Sequence, residues 1–90
     1  MKKSDDQALR SDKLAKYTMA VTVSLTSVEA HRIRRYEHMG LLRPLRSDGG
    51  QRLFTNLEVE LISEIARLES KKINLEGVKA ILAMRHGEEI

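Results

Sequence analysis

Four arginines lie within the stretch HRIRRYEHMGLLRP, residues 31–44, and they are the side chains of this sequence best suited to binding an anion. Glu37 is the only acidic residue among them. A solvent-exposed helix face normally mixes both signs of charge. The planar guanidinium group also suits phosphates and the edges of guanine better than an ammonium does. The stretch therefore indicates a surface that meets a polyanion.

Positive charge is concentrated in the middle of this 90-residue chain. The whole chain carries a net charge of +3, whereas residues 31–52 alone carry six arginines against Glu37 and Asp48, which gives +4. Residues 53–90 carry five basic and seven acidic residues, which gives −2. Such a separation is typical of a domain with one basic binding surface.

The composition argues against several classes of protein. The chain has no cysteine, which removes disulfides and thiolate metal sites. No apolar run approaches the roughly 20 residues of a membrane span. The N-terminus lacks the apolar stretch of a secretory signal, so we expect a cytoplasmic protein. No spacing links the histidines as a metal site, and no nucleophile is paired with a base. We therefore expect no enzyme, no catalytic residue, no metal and no cofactor.

The chain divides into two segments. Residues 1–16 are polar and irregular and predict a flexible arm, whereas residues 17–90 predict one domain. Apolar residues within 19–25 fit a short strand or a short helix about equally well. The helix is favoured because a basic helix follows, and a DNA-reading helix needs a second helix behind it.

The basic stretch itself predicts a helix over residues 28–39. Thr26 or Ser27 is expected to cap it, and Glu29 falls in the first turn, where a carboxylate suits the positive end of the helix dipole. Gly40 stands where a helix-ending glycine is expected.

A hairpin and two further helices complete the predicted order. The sequence SDGG marks the turn of a hairpin that forms a wing over residues 42–54. Thr55 and Glu58 form a capping box for the next helix, and Asn74 caps the last one. The residues predicted to face the core from these two helices are Leu57, Leu61, Ile62, Ile65, Leu68, Leu75, Val78, Ile81 and Leu82. Four glutamates, at positions 58, 60, 64 and 69, are expected to form a solvated face.

This order predicts a mostly α-helical protein with a small β-hairpin: a winged helix-turn-helix followed by two helices. Ile33 and Tyr36 then face the core, and the opposite side of the basic helix is presented to DNA. Ala30, His31 and Arg34 are expected to read the major groove, and Arg32 and Arg35 to reach phosphates. Arg46 and Arg52, on either side of a glycine-rich tip, are expected to contact the DNA backbone or the minor groove.

The sequence RIRRYEHMGLLRPLRSDGGQRLF resembles the signature of the MerR family of transcriptional regulators. The resemblance runs from Tyr17 to about Met84. It implies DNA binding by a winged helix-turn-helix in the bacterial nucleoid, as a homodimer that forms in solution or only on DNA. It places Arg34, Tyr36 and Glu37 at signature positions of the helix, and Arg46, Gly50 and Arg52 at signature positions of the wing. Tyr36 and Gly50 are therefore expected among the DNA-binding residues as well.

Within the family, the chain looks most like the heat-shock repressor subgroup and next like the glutamine-synthetase repressor subgroup. Both imply repression, and the first implies an Hsp70-type chaperone as partner. Ser27 stands where the turn glycine is usual, which predicts a slightly different turn, and Arg35 replaces the first aromatic residue. Because the chain ends at Ile90 without a long coiled-coil helix, we expect no metal or drug sensing.

The sequence therefore predicts a sequence-specific transcriptional regulator that binds double-stranded DNA. The subgroup resemblance implies that it is a repressor. Two alternatives stay open. One is an architectural, excisionase-like protein that binds DNA in cooperative arrays and bends it. The other is a protein-interaction module with a degenerate helix-turn-helix, although intact Arg34, Arg46 and Arg52 weigh against it.

Overall fold

The computed structural model describes residues 13–89, and side chains as far as residue 85. Four helices and one hairpin follow one another in this part of the chain, which confirms the predicted fold class. Residues 1–12, which make up most of the predicted flexible arm, lie outside the described residues, and that arm stays a prediction. The elements are α1 (Met19–Thr26), α2 (Ala30–His38), β1 (Leu45–Arg46), β2 (Arg52–Leu53), α3 (Asn56–Ser70) and α4 (Leu75–Glu89).

The segment that fitted a strand or a helix is helix α1. Thr18 caps it, because its Oγ1 accepts a hydrogen bond from the Val21 N–H at 3.2 Å. The helix ends at Ser27, whose φ of 59° and ψ of 22° lie in the left-handed region that glycine favours. The serine therefore adopts the backbone conformation in which a glycine would be expected.

The predicted start of the basic helix is wrong. Helix α2 begins at Ala30, and Glu29 occupies its N-cap position without a side-chain hydrogen bond to the helix. Thr26 is engaged elsewhere: its hydroxyl donates to the Thr22 carbonyl at 2.8 Å and accepts from the Val28 N–H at 3.1 Å. A threonine or serine hydroxyl bonds readily to nearby backbone, and here it fixes the turn between α1 and α2.

The end of α2 agrees with the prediction. Gly40 has a φ of +82°, and its N–H donates to the Glu37 carbonyl at 2.9 Å. The Leu41 N–H donates to the Tyr36 carbonyl at 3.0 Å. These two bonds form a Schellman motif, which satisfies the last carbonyls of the helix and turns the chain toward the wing.

The wing is a short antiparallel hairpin in which Leu45 pairs with Leu53 and Arg46 with Arg52. Its turn is closed by the Ser47 N–H, which donates to the Gln51 carbonyl at 2.8 Å. The strand partner of Phe54 is Tyr17, just ahead of α1. The hairpin is thereby tied by its backbone to the beginning of the domain.

Helices α3 and α4 begin at the predicted caps. The Glu58 N–H donates to Thr55 Oγ1 at 3.1 Å and the Thr55 N–H donates to Glu58 Oε1 at 3.0 Å, which confirms the capping box. Asn74 Oδ1 accepts from the Gly77 N–H at 2.9 Å. The prediction of a buried Leu57 is wrong, since 51% of this residue is exposed. Leu57 lies in the first turn of α3 at the edge of its apolar stripe, away from the line of buried residues further along the helix.

One hydrophobic core holds these elements together. Helix α3 packs against both α1 and α4. Its buried residues Ile62 and Ile65 share the core with Ile33 and Tyr36 of α2 and with Phe54 beside the wing. The side of α2 that carries Ile33 and Tyr36 is thus buried in the core, and this burial fixes the rotation of the helix. No helix among the described residues is long and apolar enough to cross a membrane.

Candidate nucleic-acid interface

Helix α2 has a buried side and an exposed side. Ile33 and Tyr36 are only 0% and 1% exposed and face the core. At about 100° per residue, the opposite side carries His31, Arg34, Arg35 and His38, all of which are exposed. We call these four residues the exposed face of α2. Ala30, at the first position of the helix, is partly buried beside this face.

On one flank of α2, three side chains form a closed hydrogen-bonding triangle that joins this helix to the end of α3. The Tyr36 hydroxyl donates to Glu69 Oε1 at 2.6 Å, and Arg32 Nη2 donates to the same oxygen at 3.0 Å. Arg32 Nη2 also lies 3.1 Å from the Tyr36 hydroxyl oxygen, to which it donates. We call Arg32, Tyr36 and Glu69 the Glu69 network. Through this network, Arg32 of the basic stretch is bound to a carboxylate of the protein itself.

The pKa values of this network reflect its burial and its charges. Burial raises the pKa of Tyr36 to about 12, and the neighbouring Glu69 carboxylate adds to the shift. For Glu69, burial pushes the pKa upward, but the hydrogen bonds from Tyr36 and Arg32, with the positive charges of Arg32 and Arg35, outweigh it and hold the pKa below its usual value. The hydrogen bond to Glu69 likewise raises the pKa of Arg32. At neutral pH the network therefore consists of a protonated phenol, a carboxylate and a guanidinium.

On the other flank of α2, Glu37 holds the two arginines of the wing. Arg52 Nε donates to Glu37 Oε1 at 2.6 Å, and Arg46 Nη2 lies 3.6 Å from Glu37 Oε2. We call Glu37, Arg46 and Arg52 the wing clamp. Opposite charges on helix and hairpin thus fix the angle between them, and the two wing arginines lie beside α2.

The two wing arginines differ in accessibility. The Arg46 side chain is 49% exposed, against 24% for Arg52. Arg46 Nη1 also donates to the Gly50 carbonyl at 3.1 Å, so this arginine follows the hairpin toward its tip. Gly50 is exposed and has a φ of +85°, a conformation that side-chain-bearing residues rarely adopt. Because Gly50 has no side chain, the tip can approach a ligand backbone closely.

The structure gathers most of the predicted site residues and adds others. Arg34, Arg35 and His31 lie on the exposed face of α2, whereas Arg32 and Tyr36 lie in the Glu69 network. The expectation that Tyr36 is a DNA-binding residue is wrong, since it is 1% exposed and its hydroxyl is bound to Glu69. His38 shares the exposed face, a position its helical spacing from His31 and Arg34 already indicates. Glu69 could not be found from the sequence, because it lies 37 residues after Arg32 and no local spacing links them.

The prediction that the glutamates of α3 form a solvated face is wrong for Glu69, whose side chain is only 19% exposed and belongs to the Glu69 network. Glu58 closes the predicted capping box. Glu64 binds Arg67 at 2.6 Å and Arg85 at 2.9 Å, and these hydrogen bonds lower its pKa to about 2. Only Glu60 is plainly exposed. Among the described residues, no group of three or more histidine, aspartate or glutamate side chains is placed to hold a metal ion.

Residues 17–85 match the family model described as MerR HTH family regulatory protein. Curated relatives include the HTH-type transcriptional regulator GlnR of Bacillus anthracis, which is 32% identical over 80% of this chain and 56% of its own length. HspR of Streptomyces coelicolor is 28% identical over 78% of this chain and 47% of its own length. The chain thus spans about half the length of these relatives.

A solved structure with the same fold is that of HiNmlR, a MerR family regulator lacking the sensor domain, bound to promoter DNA. It aligns with a TM-score of 0.71 and 26% identity, covering 77% of this chain and 53% of that chain. The family that the sequence signature implied is thereby confirmed.

Proposed function

The chain belongs to the MerR family of helix-turn-helix regulatory proteins, and from this premise we propose that it binds double-stranded DNA as a transcriptional regulator. The observation that carries the proposal is the exposed face of α2: two arginines and two histidines project on the side opposite a fully buried one. The wing arginines lie beside the same helix. A convex cationic helix next to a cationic hairpin matches the shape and charge of a duplex groove with its phosphate rim.

The residues of α2 and of the wing are assigned to different parts of the DNA according to their position and exposure. We assign Ala30, His31 and Arg34, near the N-terminal end of α2, to base edges in the major groove, where Arg binds guanine through two donors. Arg35, one position round the helix, is assigned to a phosphate. The exposed Arg46 and the tip at Gly50 are assigned to the DNA backbone or the minor groove. Arg52, which Glu37 holds more tightly, supports this contact from within the wing clamp.

Repression by a homodimer is the finer part of the proposal. Its support is the resemblance of the sequence to the heat-shock and glutamine-synthetase repressor subgroups, and GlnR and HspR are similar over about four-fifths of this chain. A reporter gene placed behind a DNA site that the protein selects from random duplexes tests it. Expression should fall when the protein is present and recover in an Arg34→Ala variant. The resemblance to the heat-shock repressor subgroup also supports a chaperone of the Hsp70 type as partner, which co-purification from cells tests directly.

Selection from a random duplex library at about physiological salt tests DNA recognition first. We expect an enriched inverted repeat with half-sites about one helical turn apart, since a dimer places its two recognition helices at that spacing. A matched control is Arg67→Gln, which removes an arginine of α3 that is paired with Glu64, and it should select the same site. Salt-sensitive binding without enrichment would favour the architectural alternative. No binding at all would leave the protein-interaction alternative.

A further inference from the structure

Arg32 belongs by sequence to the basic cluster of α2, but in the folded protein its guanidinium is bound to Glu69 of α3. We propose that Glu69 is a positioning residue that keeps Arg32 away from the DNA phosphates and so limits how many phosphates the recognition helix neutralises. The inference rests on the proposed DNA binding and deepens it. It also replaces the sequence-based expectation that Arg32 contacts a phosphate.

The geometry of the Glu69 network supports this role. Glu69 Oε1 accepts two hydrogen bonds, from the Tyr36 hydroxyl at 2.6 Å and from Arg32 Nη2 at 3.0 Å. The side chains of Arg32 and Glu69 are only 32% and 19% exposed. Salt screens a partly buried pair of this kind less than it screens a pair at the surface. The pair therefore persists at salt concentrations that weaken phosphate contacts.

A DNA phosphate would have to displace a carboxylate that is already in place. The phenol of Tyr36, whose pKa is raised, stays protonated and anchors the carboxylate at all ordinary pH values. A phosphate approaching from solvent has no such anchor and must also be desolvated. Arg34 and Arg35 differ from Arg32, because none of the ion pairs among residues 13–85 involves them.

The salt dependence of DNA binding separates this role from a merely structural one. Each neutralised phosphate adds about 0.9 to the slope of log K against log salt concentration. Glu69→Gln should release Arg32 to a phosphate and steepen the slope by about 0.9. Its affinity would then fall about 3.5-fold more than that of the wild type between 50 and 200 mM salt. Arg32→Gln should leave the wild-type slope unchanged.

Two further variants complete the test. In Arg32→Gln/Glu69→Gln the slope should return to the wild-type value, because the released arginine is gone. Glu64→Gln is the charge-matched control on the same helix, since Glu64 binds Arg67 and Arg85 instead, and it should not steepen the slope. A glutamine at position 69 can still accept from the Tyr36 hydroxyl, so the variant should fold. Should it not, a shallower slope in Arg32→Gln would still overturn the inference.

Three results would overturn the inference. A shallower slope in Arg32→Gln would mean that Arg32 already neutralises a phosphate. An unchanged slope in a folded Glu69→Gln variant would mean that Glu69 does not withhold it. Equal steepening in Glu64→Gln would reduce the effect to lost negative charge. Absence of salt-dependent DNA binding in the wild type, by contrast, would overturn the proposed function itself.

Discussion

The hydroxyl of Tyr36 donates a hydrogen bond of 2.6 Å to Glu69, which lies 33 residues later on another helix. Tyr36 faces the core and is 1% exposed, so this bond fixes α2 against the end of α3 from inside the domain. Together with the wing clamp on the opposite flank, it holds α2 from both sides. The exposed face of α2 is thereby presented to solvent in one orientation.

Tyr36→Phe should lower the free energy of unfolding by about 1–2 kcal/mol, because it removes a buried donor to a carboxylate and leaves Glu69 less well satisfied. Urea denaturation measures this. The control is Tyr17→Phe, since Tyr17 pairs with Phe54 through its backbone and carries the Lys16 ammonium 5.3 Å from its ring centre, contacts that phenylalanine keeps. Equal losses in the two variants would argue against the Glu69 network as a source of stability.

Acid should weaken the domain partly through Glu69. Its folded pKa lies below the usual 4.5, so its contribution to stability is present above about pH 4.5 and is lost as the pH falls through the lowered value. In Glu69→Gln the free energy of unfolding should fall less steeply from about pH 6 to about pH 3. Glu64, with its pKa of about 2, also makes the free energy of unfolding fall in acid. It does so equally in the wild type and in Glu69→Gln, so its effect cancels when the two profiles are compared. Parallel profiles would contradict the prediction.

Arg34→Ala should cost about 1–3 kcal/mol of binding to the selected site and relax the preference at one base pair, because it removes a two-donor contact to guanine. Binding to the site and to its single-base variants measures both effects. Arg35→Ala serves as the comparison, since a lost phosphate contact should weaken every duplex alike. If Arg34→Ala also weakens all duplexes equally, Arg34 only contacts the backbone.

Arg46→Gln should make the slope of log K against log salt concentration shallower by about 0.9, because Arg46 is the more exposed wing arginine and its ion pair with Glu37 is long at 3.6 Å. Titrations of duplex DNA at several salt concentrations provide the slope. Arg67→Gln is the matched control and should leave it unchanged. An unaltered slope in Arg46→Gln would place the wing away from the DNA.

Ser27→Gly should stabilise the domain by about 0.5–1 kcal/mol. The left-handed conformation at Ser27 costs a side-chain-bearing residue about 1–2 kcal/mol, and the greater freedom of glycine in the unfolded chain offsets part of the gain. Thermal or urea unfolding measures the difference. Ser24→Gly, three residues earlier and inside α1, should instead destabilise by about 0.5 kcal/mol, because no left-handed conformation is relieved there. Stabilisation by both changes would contradict the argument.

The sequence by itself determined the elements that local chemistry specifies. The capping box at Thr55 and Glu58, the helix-ending Gly40 and the turn of the wing each depend on residues within a few positions of one another, so spacing alone reveals them. The signature from Arg34 to Arg52 likewise indicated the family. Local patterns misplaced the start of α2, because the Thr26 hydroxyl bonds to the Thr22 carbonyl and the Val28 N–H within the turn instead of capping the helix.

Only the tertiary structure decided which arginine of the basic cluster is bound within the protein. Helical spacing already placed Arg34 opposite the buried side of α2, but nothing local indicates that a carboxylate binds Arg32. Burial of Ile33 and Tyr36 sets the rotation of α2, and that rotation brings Arg32 against Glu69 while Arg34 projects into solvent. An ion pair across 37 residues depends on how two helices pack, and that packing is a property of the whole core rather than of either segment.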